Sequence, residues 1–212
     1  MIVFLKRHHR FFLLSILLCA DVCVWFLAYH ENHHGLLTVR FLDVAKGQSI
    51  FIEAPNGNKI IVDGGSDKQI FSELTALLPF YDRTISMLIL TNPSRNYVSG
   101  FLSILDSYKV GAVLESGAQA SSSAYTQFEN IIGERHIPKI LARRGMKIVL
   151  DANANEEVYL SVLFPDRDVS RFALGDSSIV MSLSYGGKSF LLQGSASEKI
   201  RKYLAVEGDE PL

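Results

Sequence analysis

The sequence has few of the residues that mark several protein classes. Its 212 residues include only two cysteines, which excludes a disulfide framework and a cysteine-rich zinc module. Six prolines and 15 glycines exclude collagen-like and low-complexity chains. No segment of about 20 to 50 residues repeats, which argues against a solenoid. Hydrophobic residues make up 48% of the chain, so wholesale disorder is excluded and one domain, with room for an appendage, is predicted.

The chain has no large excess of either charge. Its formal net charge is −1, and residues 31–212 hold 18 Lys and Arg against 21 Asp and Glu, a net charge of −3. A nucleic-acid-binding domain needs a basic surface to meet the phosphates, so this balance argues against a broad nucleic-acid interface. A local basic patch around Arg143 and Arg144 stays open.

Long apolar runs are absent except near the N-terminus, where 19 residues, Phe11 to Tyr29, follow a basic segment. As a helix this run would be about 28 Å long, close to the hydrocarbon thickness of a bilayer. We expect a basic flank over 1–10, a transmembrane helix over 11–29 through which the membrane is a partner, and a linker over 30–35. Because the basic residues precede the run, the N-terminus is expected in the cytoplasm and the domain on the extracytoplasmic side.

Three features near this run leave alternatives open. Asp21 lies inside it, and an intramembrane carboxyl is a functional candidate, although a helix–helix contact or a tolerated defect also explains it. A cleaved signal peptide is the rival of an uncleaved anchor, but segment 26–28 (Phe-Leu-Ala) lacks the usual small residues of a cleavage site. A histidine cluster, His30, His33 and His34, is a minor candidate for metal binding, without a fixed scaffold.

The remaining sequence alternates between strand and helix patterns. Pro55-Asn56-Gly57-Asn58 predicts a hairpin turn, and Ile70 to Leu78 has helical spacing. Strands are predicted at 36–44, 49–54, 59–63, 86–91, 113–114, 147–150, 158–164, 179–185 and 189–193, and further helices at 99–107, 125–135 and 197–206. Hairpins mixed with single helices predict an α/β layered domain with a mixed sheet over 36–212.

Four segments of this domain occur in the order that is found in one family. They read FLDVAKGQS over 41–49, IVDGG over 61–65, LILTNPSRNYVSG over 88–100, and SIVMSL with FLLQGSA over 178–183 and 190–196. They resemble the FLDVGQGDS opening, the second-strand signature, the LTHPHADHIGG motif and the NSLVLRL…FLLTGDA stretch of ComEC-type metallo-β-lactamase domains. The resemblance covers about residues 36–206.

This resemblance implies a metallo-β-lactamase-like αββα sandwich. In that family, histidines and aspartates at the sheet edge hold two metal ions whose bridging water becomes the nucleophile. ComEC-type domains are linked with DNA uptake and competence, and nuclease action is proposed for them. A further His-His-Gly-Ser segment of the family would lie beyond the helix at 197–206, so the resemblance implies a sandwich that is C-terminally incomplete.

The metal ligands of the family are replaced in this sequence. The positions of the His-x-His-x-Asp-His motif read Asn92, Ser94, Asn96 and Tyr97, and the later bridging aspartate is Ser195. Asparagine and serine do not supply the imidazole and carboxylate groups that hold zinc tightly. No metal ligand and no cofactor are therefore expected, although zinc is the metal of the family. The acidic residue of the opening motif is also replaced, by Gln48.

Few other residues suggest chemistry. Asp43 and Asp63 follow predicted strands, and two carboxylates could act as acid and base, but orienting loops by hydrogen bonds is their simpler role. His136 precedes Ile137-Pro138 near the expected end of a helix, where a solvated cap is the simplest interpretation. No catalytic residue is assigned on this evidence.

The leading hypothesis is a membrane-anchored, non-catalytic relative of ComEC-type domains with a binding or scaffolding role on the outer face. An unidentified protein partner fits this role, whereas nucleic acid is not expected but stays open. The alternative is an active hydrolase, a phosphodiesterase or nuclease of the superfamily with an unorthodox site. A third reading is a truncated or decaying gene product whose sheet edge is exposed.

Overall fold

The computed structural model describes residues 2–31, 36–152 and 156–207 of the chain. It divides into two compact units, Met1–Leu36 and Leu37–Leu212. Of the linker expected over 30–35, residues 32–35 lie outside the described residues, and with them His33 and His34. The side chain of His30 lies outside them as well.

The first unit is a single helix, α1 (Ile2–Glu31), which contains the whole apolar run. Four consecutive side chains, those of residues 11–14, are all at least 60% exposed, so large apolar groups cover the full circumference of the helix. Within the described part of the chain, no helix has both the length and the hydropathy that crossing a bilayer requires.

The first sheet of the second unit has six strands in chain order. They are β1 (Thr38–Phe41), β2 (Ile50–Glu53), β3 (Lys59–Val62), β4 (Thr84–Leu90), β5 (Lys109–Glu115) and β6 (Lys139–Leu141). The first three strands pair antiparallel, and β3 to β6 pair parallel. The predicted strand at 113–114 is the end of the longer β5. The sequence did not predict β6, because three residues are too few for a periodic pattern.

The second sheet is antiparallel and has four strands in the order β10-β9-β8-β7. They are β7 (Lys147–Asp151), β8 (Val158–Phe164), β9 (Val180–Tyr185) and β10 (Lys188–Leu192). Within its described residues, four helices complete the unit: α2 (Gln69–Leu77), α3 (Arg95–Ser107), α4 (Ser123–Glu134) and α5 (Glu198–Glu207). A 3-10 turn at Leu174–Asp176, which the sequence did not predict, precedes β9.

Three apolar clusters show how these elements are layered. Alternate residues of β2 point to opposite faces of the first sheet, as the strand period requires: Phe51 packs with α2, α3 and α4, and Ile50 and Ile52 pack against the second sheet. A third cluster joins Ile200 of α5 to Phe164 and Val180 on the outer face of the second sheet. The layer order is therefore helices, sheet, sheet, helix, and the predicted αββα sandwich is confirmed.

The parallel strands place polar residues at one edge of the first sheet. Strands β3, β4 and β5 end at the same edge, so the residues that follow them, Asp63, Thr91 and Ser116, are neighbours there. Helix α3 begins at this edge and lies close to the chain after β3. A Cβ added at Gly100 would lie 1.8 Å from the backbone oxygen of Gly64, so only glycine permits this contact. We call this the carboxyl edge.

Candidate functional site

Asp63 lies at the centre of the carboxyl edge and is fully buried. Its φ of 60° is unusual for a residue other than glycine and turns the chain sharply after β3. One carboxylate oxygen accepts the backbone N–H of Thr91 at 2.8 Å, and the other accepts the Thr91 hydroxyl at 2.7 Å and the Gln48 side-chain amide at 3.0 Å. The carboxylate is thus surrounded by hydrogen-bond donors.

Burial governs the acidity of this carboxyl group. It raises the pKa of Asp63 from 3.8 to about 7, and the hydrogen bonds from Gln48 and Thr91 only partly oppose it. Among the described residues, no lysine, arginine or histidine forms an ion pair with Asp63. Burial also raises the pKa of the nearby Tyr97 hydroxyl, and the charge of Asp63 raises it further. The carboxyl group of Asp63 therefore changes its charge near neutral pH.

Asn92 connects the carboxyl edge with the second sheet. Its side-chain nitrogen donates to the Leu174 carbonyl at 2.7 Å and to the Ser195 hydroxyl at 2.8 Å, and its side-chain oxygen accepts the backbone N–H of Ser94 at 2.9 Å. The last of these bonds shapes the turn into α3. Asn92 is 3% exposed, and each of its polar atoms has a partner. It serves as a structural link between three segments.

Ser195 is held from the opposite side by Ser178. The Ser178 hydroxyl accepts the backbone N–H of Ser195 at 3.1 Å and lies 3.2 Å from its hydroxyl. Gly194, at φ 54°, permits this approach, because an added Cβ would lie 2.8 Å from both Ser178 Oγ and Thr91 Oγ1. Ser195 and Asn92 therefore bond each other directly across the space between the two sheet ends.

The structure brings together some of the residues selected from the sequence. Asn92, Ser195 and Tyr97 lie at one polar cluster, in which burial raises the pKa of Tyr97 and Ser195 opposes the rise. Ser94 directly precedes α3 and makes no side-chain cap bond, and Asn96 is exposed on the first turn of that helix.

The other selected residues lie apart from this cluster. Asp43 is exposed and is not among the described hydrogen-bond partners of Asp63, which are Gln48 and Thr91. His136 is exposed after α4, with Nδ1 3.1 Å from the Glu134 carbonyl. Arg143 is half-buried and donates to the carbonyls of Ser116 and Ala142.

The residues at the family's ligand positions do not fit a metal ion. The Asn92 nitrogen is a donor with both of its acceptors in place, and its oxygen is also occupied. The hydroxyls of Ser195 and Tyr97 are weak ligands beside imidazole and carboxylate. In the described ranges, no three His, Cys, Asp or Glu side chains are arranged to hold a metal ion.

The sequence analysis did not predict a second polar cluster, which lies at the same edge. Glu115, 3% exposed, accepts the Tyr125 hydroxyl at 3.2 Å and lies 3.3 Å from the Lys139 ammonium, which also pairs with Glu129 at 2.7 Å. Burial raises the pKa of Glu115, as does the charge of Glu129, whereas Lys139 and Tyr125 oppose the rise. No sequence signal identifies this cluster, because its members come from β5, α4 and β6.

Comparisons with known proteins extend this description. No protein-family model matches the sequence, and no curated protein matches it. Among solved structures, the chain is similar to a metallo-β-lactamase of Cronobacter sakazakii with the HARLDQ motif, at 16% identity and a TM-score of 0.49, over 79% of this chain and 69% of that one.

Two further structures give lower scores. The SMB-1 metallo-β-lactamase bound to 2-mercaptoethanesulfonate has 13% identity and a TM-score of 0.47, over 72% of this chain and 59% of that one. Rubredoxin oxygen:oxidoreductase of Desulfovibrio gigas has 9% identity and a TM-score of 0.43, over 65% and 30%. The match to a Cronobacter sakazakii motif mutant covers 58% of that chain.

Proposed function

We propose that this chain is a membrane-anchored, non-catalytic relative of ComEC-type metallo-β-lactamase domains, with a binding or scaffolding role on the outer face of the membrane. One observation carries the non-catalytic part: Asn92 and Ser195, at two ligand positions of the family, hydrogen-bond each other at 2.8 Å. Direct bonds between protein groups thus hold together the two segments that ligands to a common metal would otherwise join.

The hydrolase alternative lacks a usable pair of carboxylates. A pKa near 7 would suit Asp63 as a general base, but a general base must come within hydrogen-bond reach of its substrate. Asp63 is fully buried and hydrogen-bonded by Gln48 and Thr91, whereas Asp43 is exposed and is not among its described partners. The geometry favours the structural role for both residues.

Metal content tests the non-catalytic proposal. We expect the full chain, dialysed against trace zinc and manganese, to retain fewer than about 0.1 ions per chain, because the residues at these positions supply neither imidazole nor carboxylate. The control is a chain with the family's ligands restored through the substitutions Asn92→His, Ser94→His, Asn96→Asp, Tyr97→His and Ser195→Asp. This variant should retain zinc. One or two ions that the unaltered chain retains, and that it still retains after His30, His33 and His34 are replaced by alanine, would contradict the proposal, as would hydrolysis of generic phosphodiesters.

The proposed anchor is supported by the apolar side chains around α1, although among the described residues no helix is both long and apolar enough to span a bilayer. Ten or more large apolar groups exposed to water would be costly, whereas in a bilayer each contributes to insertion. We expect the full chain to stay with the membrane fraction after alkaline extraction. Replacing Leu17 and Leu18 by lysine should release it, whereas replacing Lys199 and Lys202 by glutamine should not. Release of the unaltered chain from the membrane fraction by alkaline extraction would contradict the proposed anchor.

A further inference from the structure

The loop between β1 and β2, residues 42–49, is held to the carboxyl edge at three points. Gln48 donates to the Asp63 carboxylate at 3.0 Å. A Cβ added at Gly47 would lie 1.9 Å from the Asn96 backbone oxygen, and one added at Gly65 would lie 2.7 Å from the Val44 side chain. Residues 43 and 45–47 are nevertheless exposed. The loop lies over Asp63, and Gln48 is its only side chain with a described hydrogen bond to that carboxylate.

The hydrogen bonds around Asp63 suit only the ionised form. A carboxylate accepts without donating, and its three partners all donate to it. A protonated carboxyl group needs an acceptor for its O–H. The Thr91 backbone N–H cannot accept, and reversing the Thr91 hydroxyl bond would deprive that hydroxyl hydrogen of the acceptor it now uses. Gln48 is half-buried and carries both a donor and an acceptor, so turning its amide supplies the missing acceptor.

Among the residues that the structure describes, no cation pairs with Asp63 to favour its ionised form. The loop carries Asp43 and Lys46, both exposed, besides Gln48. Strand β4 contributes Thr91, and α3 contributes the Tyr97 hydroxyl, whose pKa the charge of Asp63 raises. The loop also contains Ser49, whose buried hydroxyl has no hydrogen-bond partner among the described residues. In the observed arrangement, the Ser49 hydroxyl is therefore a buried polar group without a described hydrogen bond.

We propose that Asp63 and Gln48 form a proton-dependent latch for the β1–β2 loop. The ionised carboxylate holds the Gln48 amide nitrogen and keeps the loop on the carboxyl edge. When Asp63 takes up a proton from solvent, Gln48 turns its amide oxygen to the new O–H or leaves the carboxyl group, and the loop shifts against Asn96. The latch depends on the amide: an acid at position 48, as in the family that the sequence resembles, would place two carboxyl groups together.

Nuclear magnetic resonance tests the latch directly. The full chain, labelled with 15N-glutamine, contains five glutamines, and the Gln48 side-chain signal is assigned from its loss in a Gln48→Glu variant. We expect this signal to shift with a midpoint near pH 7, together with the 13C signal of the Asp63 carboxyl carbon. In Asp63→Asn the Gln48 signal should stay constant between about pH 5.5 and 8.5. In Asp43→Asn, the matched control, it should titrate as in the unaltered chain.

Two results would overturn the latch. One is a Gln48 signal that stays constant over this pH range in the unaltered chain while the Asp63 carbon titrates. The other is a Gln48 titration that persists in Asp63→Asn. If Asp63→Asn does not fold, the unaltered chain decides, because the latch requires the Gln48 and Asp63 signals to share one midpoint, and different midpoints would refute it.

Discussion

Two regions of the carboxyl edge bury a carboxylate in different ways. After β3, the described partners of Asp63 are three hydrogen-bond donors, and none of them is a cation. At the end of β5, Glu115 lies against the Lys139 ammonium, which a second carboxylate, Glu129, shares. Burial raises the pKa of both carboxyl groups, but for Glu115 the positive charge of Lys139 opposes the rise. The comparison shows that neutral donors orient a buried carboxylate without cancelling the cost of its burial.

Loss of the lysine should give the largest effect. Lys139→Met leaves Glu115 and Glu129 together without a cation, so we expect the free energy of unfolding at pH 8 to fall by about 2–3 kcal/mol. This value lies below that of a fully buried pair because the Lys139 side chain is 35% exposed. The loss should shrink as the pH falls, because the raised pKa of Glu115 favours its neutral form. Urea unfolding of the full chain measures it.

An exposed lysine provides the matched control for this variant. Lys202 pairs with Glu198 at 2.8 Å on α5, and both side chains are at least 70% exposed. Lys202→Met should cost less than about 0.5 kcal/mol, because water screens such a pair. If both variants lose the same free energy of unfolding, the Glu115 cluster contributes no more stability than a surface ion pair.

The charge of Asp63 should make stability depend on pH without any change in Lys139. Its pKa is about 7 in the folded chain and 3.8 when unfolded, so the folded state binds more protons between these values. Stability should therefore fall as the pH rises from about 4 to 7 and level off above. Between pH 5 and 8 we expect a loss of about 2–3 kcal/mol, at about 1.4 kcal/mol for each pH unit below 7.

Asp63→Asn isolates this contribution. Between pH 5 and 8, the unaltered chain should lose about 2–3 kcal/mol of unfolding free energy relative to this variant. The variant lacks the titrating carboxyl group, so its stability should not show this loss. Thermal and urea unfolding of both chains at matched pH values give the difference. A difference that is constant with pH, or one of opposite sign, would contradict a raised pKa for Asp63.

Removal of one donor should have the smallest effect of the three. Thr91→Val deletes the hydroxyl that donates to Asp63 at 2.7 Å, and we expect a loss of about 1.5–2 kcal/mol at pH 8, where the acceptor is charged. The control is Thr84→Val, which deletes an exposed hydroxyl bonded to Asp82 at 2.9 Å and should cost less than about 0.5 kcal/mol. If the two losses agree at pH 8, the buried bond gives no extra stability.

The sequence predicted more of the fold than of the candidate site. Strand patterns such as Ser-Ile-Phe-Ile over 49–52 depend on neighbouring residues, and they predicted a layered α/β domain with a mixed sheet. The αββα layer order was implied by the resemblance. Strand β6 and the turn at Leu174–Asp176 were missed, because segments of three residues carry no period. At the site, the sequence singled out Asn92 and Ser195 through the resemblance, but it paired Asp63 with Asp43 rather than with Gln48 and Thr91.

The sequence by itself determined the alternation of strands and helices and the apolar run at the N-terminus. It also determined that the positions which the resemblance aligns with metal ligands hold no histidine or aspartate. Only the tertiary structure decided which polar groups meet. Asn92 and Ser195 are 103 residues apart in the chain, and Gln48 and Asp63 are 15 apart. Periodicity reports local geometry, whereas a hydrogen bond of 3 Å between such residues depends on how whole strands and helices pack. The acidity of Asp63 follows from the same packing, because burial sets it.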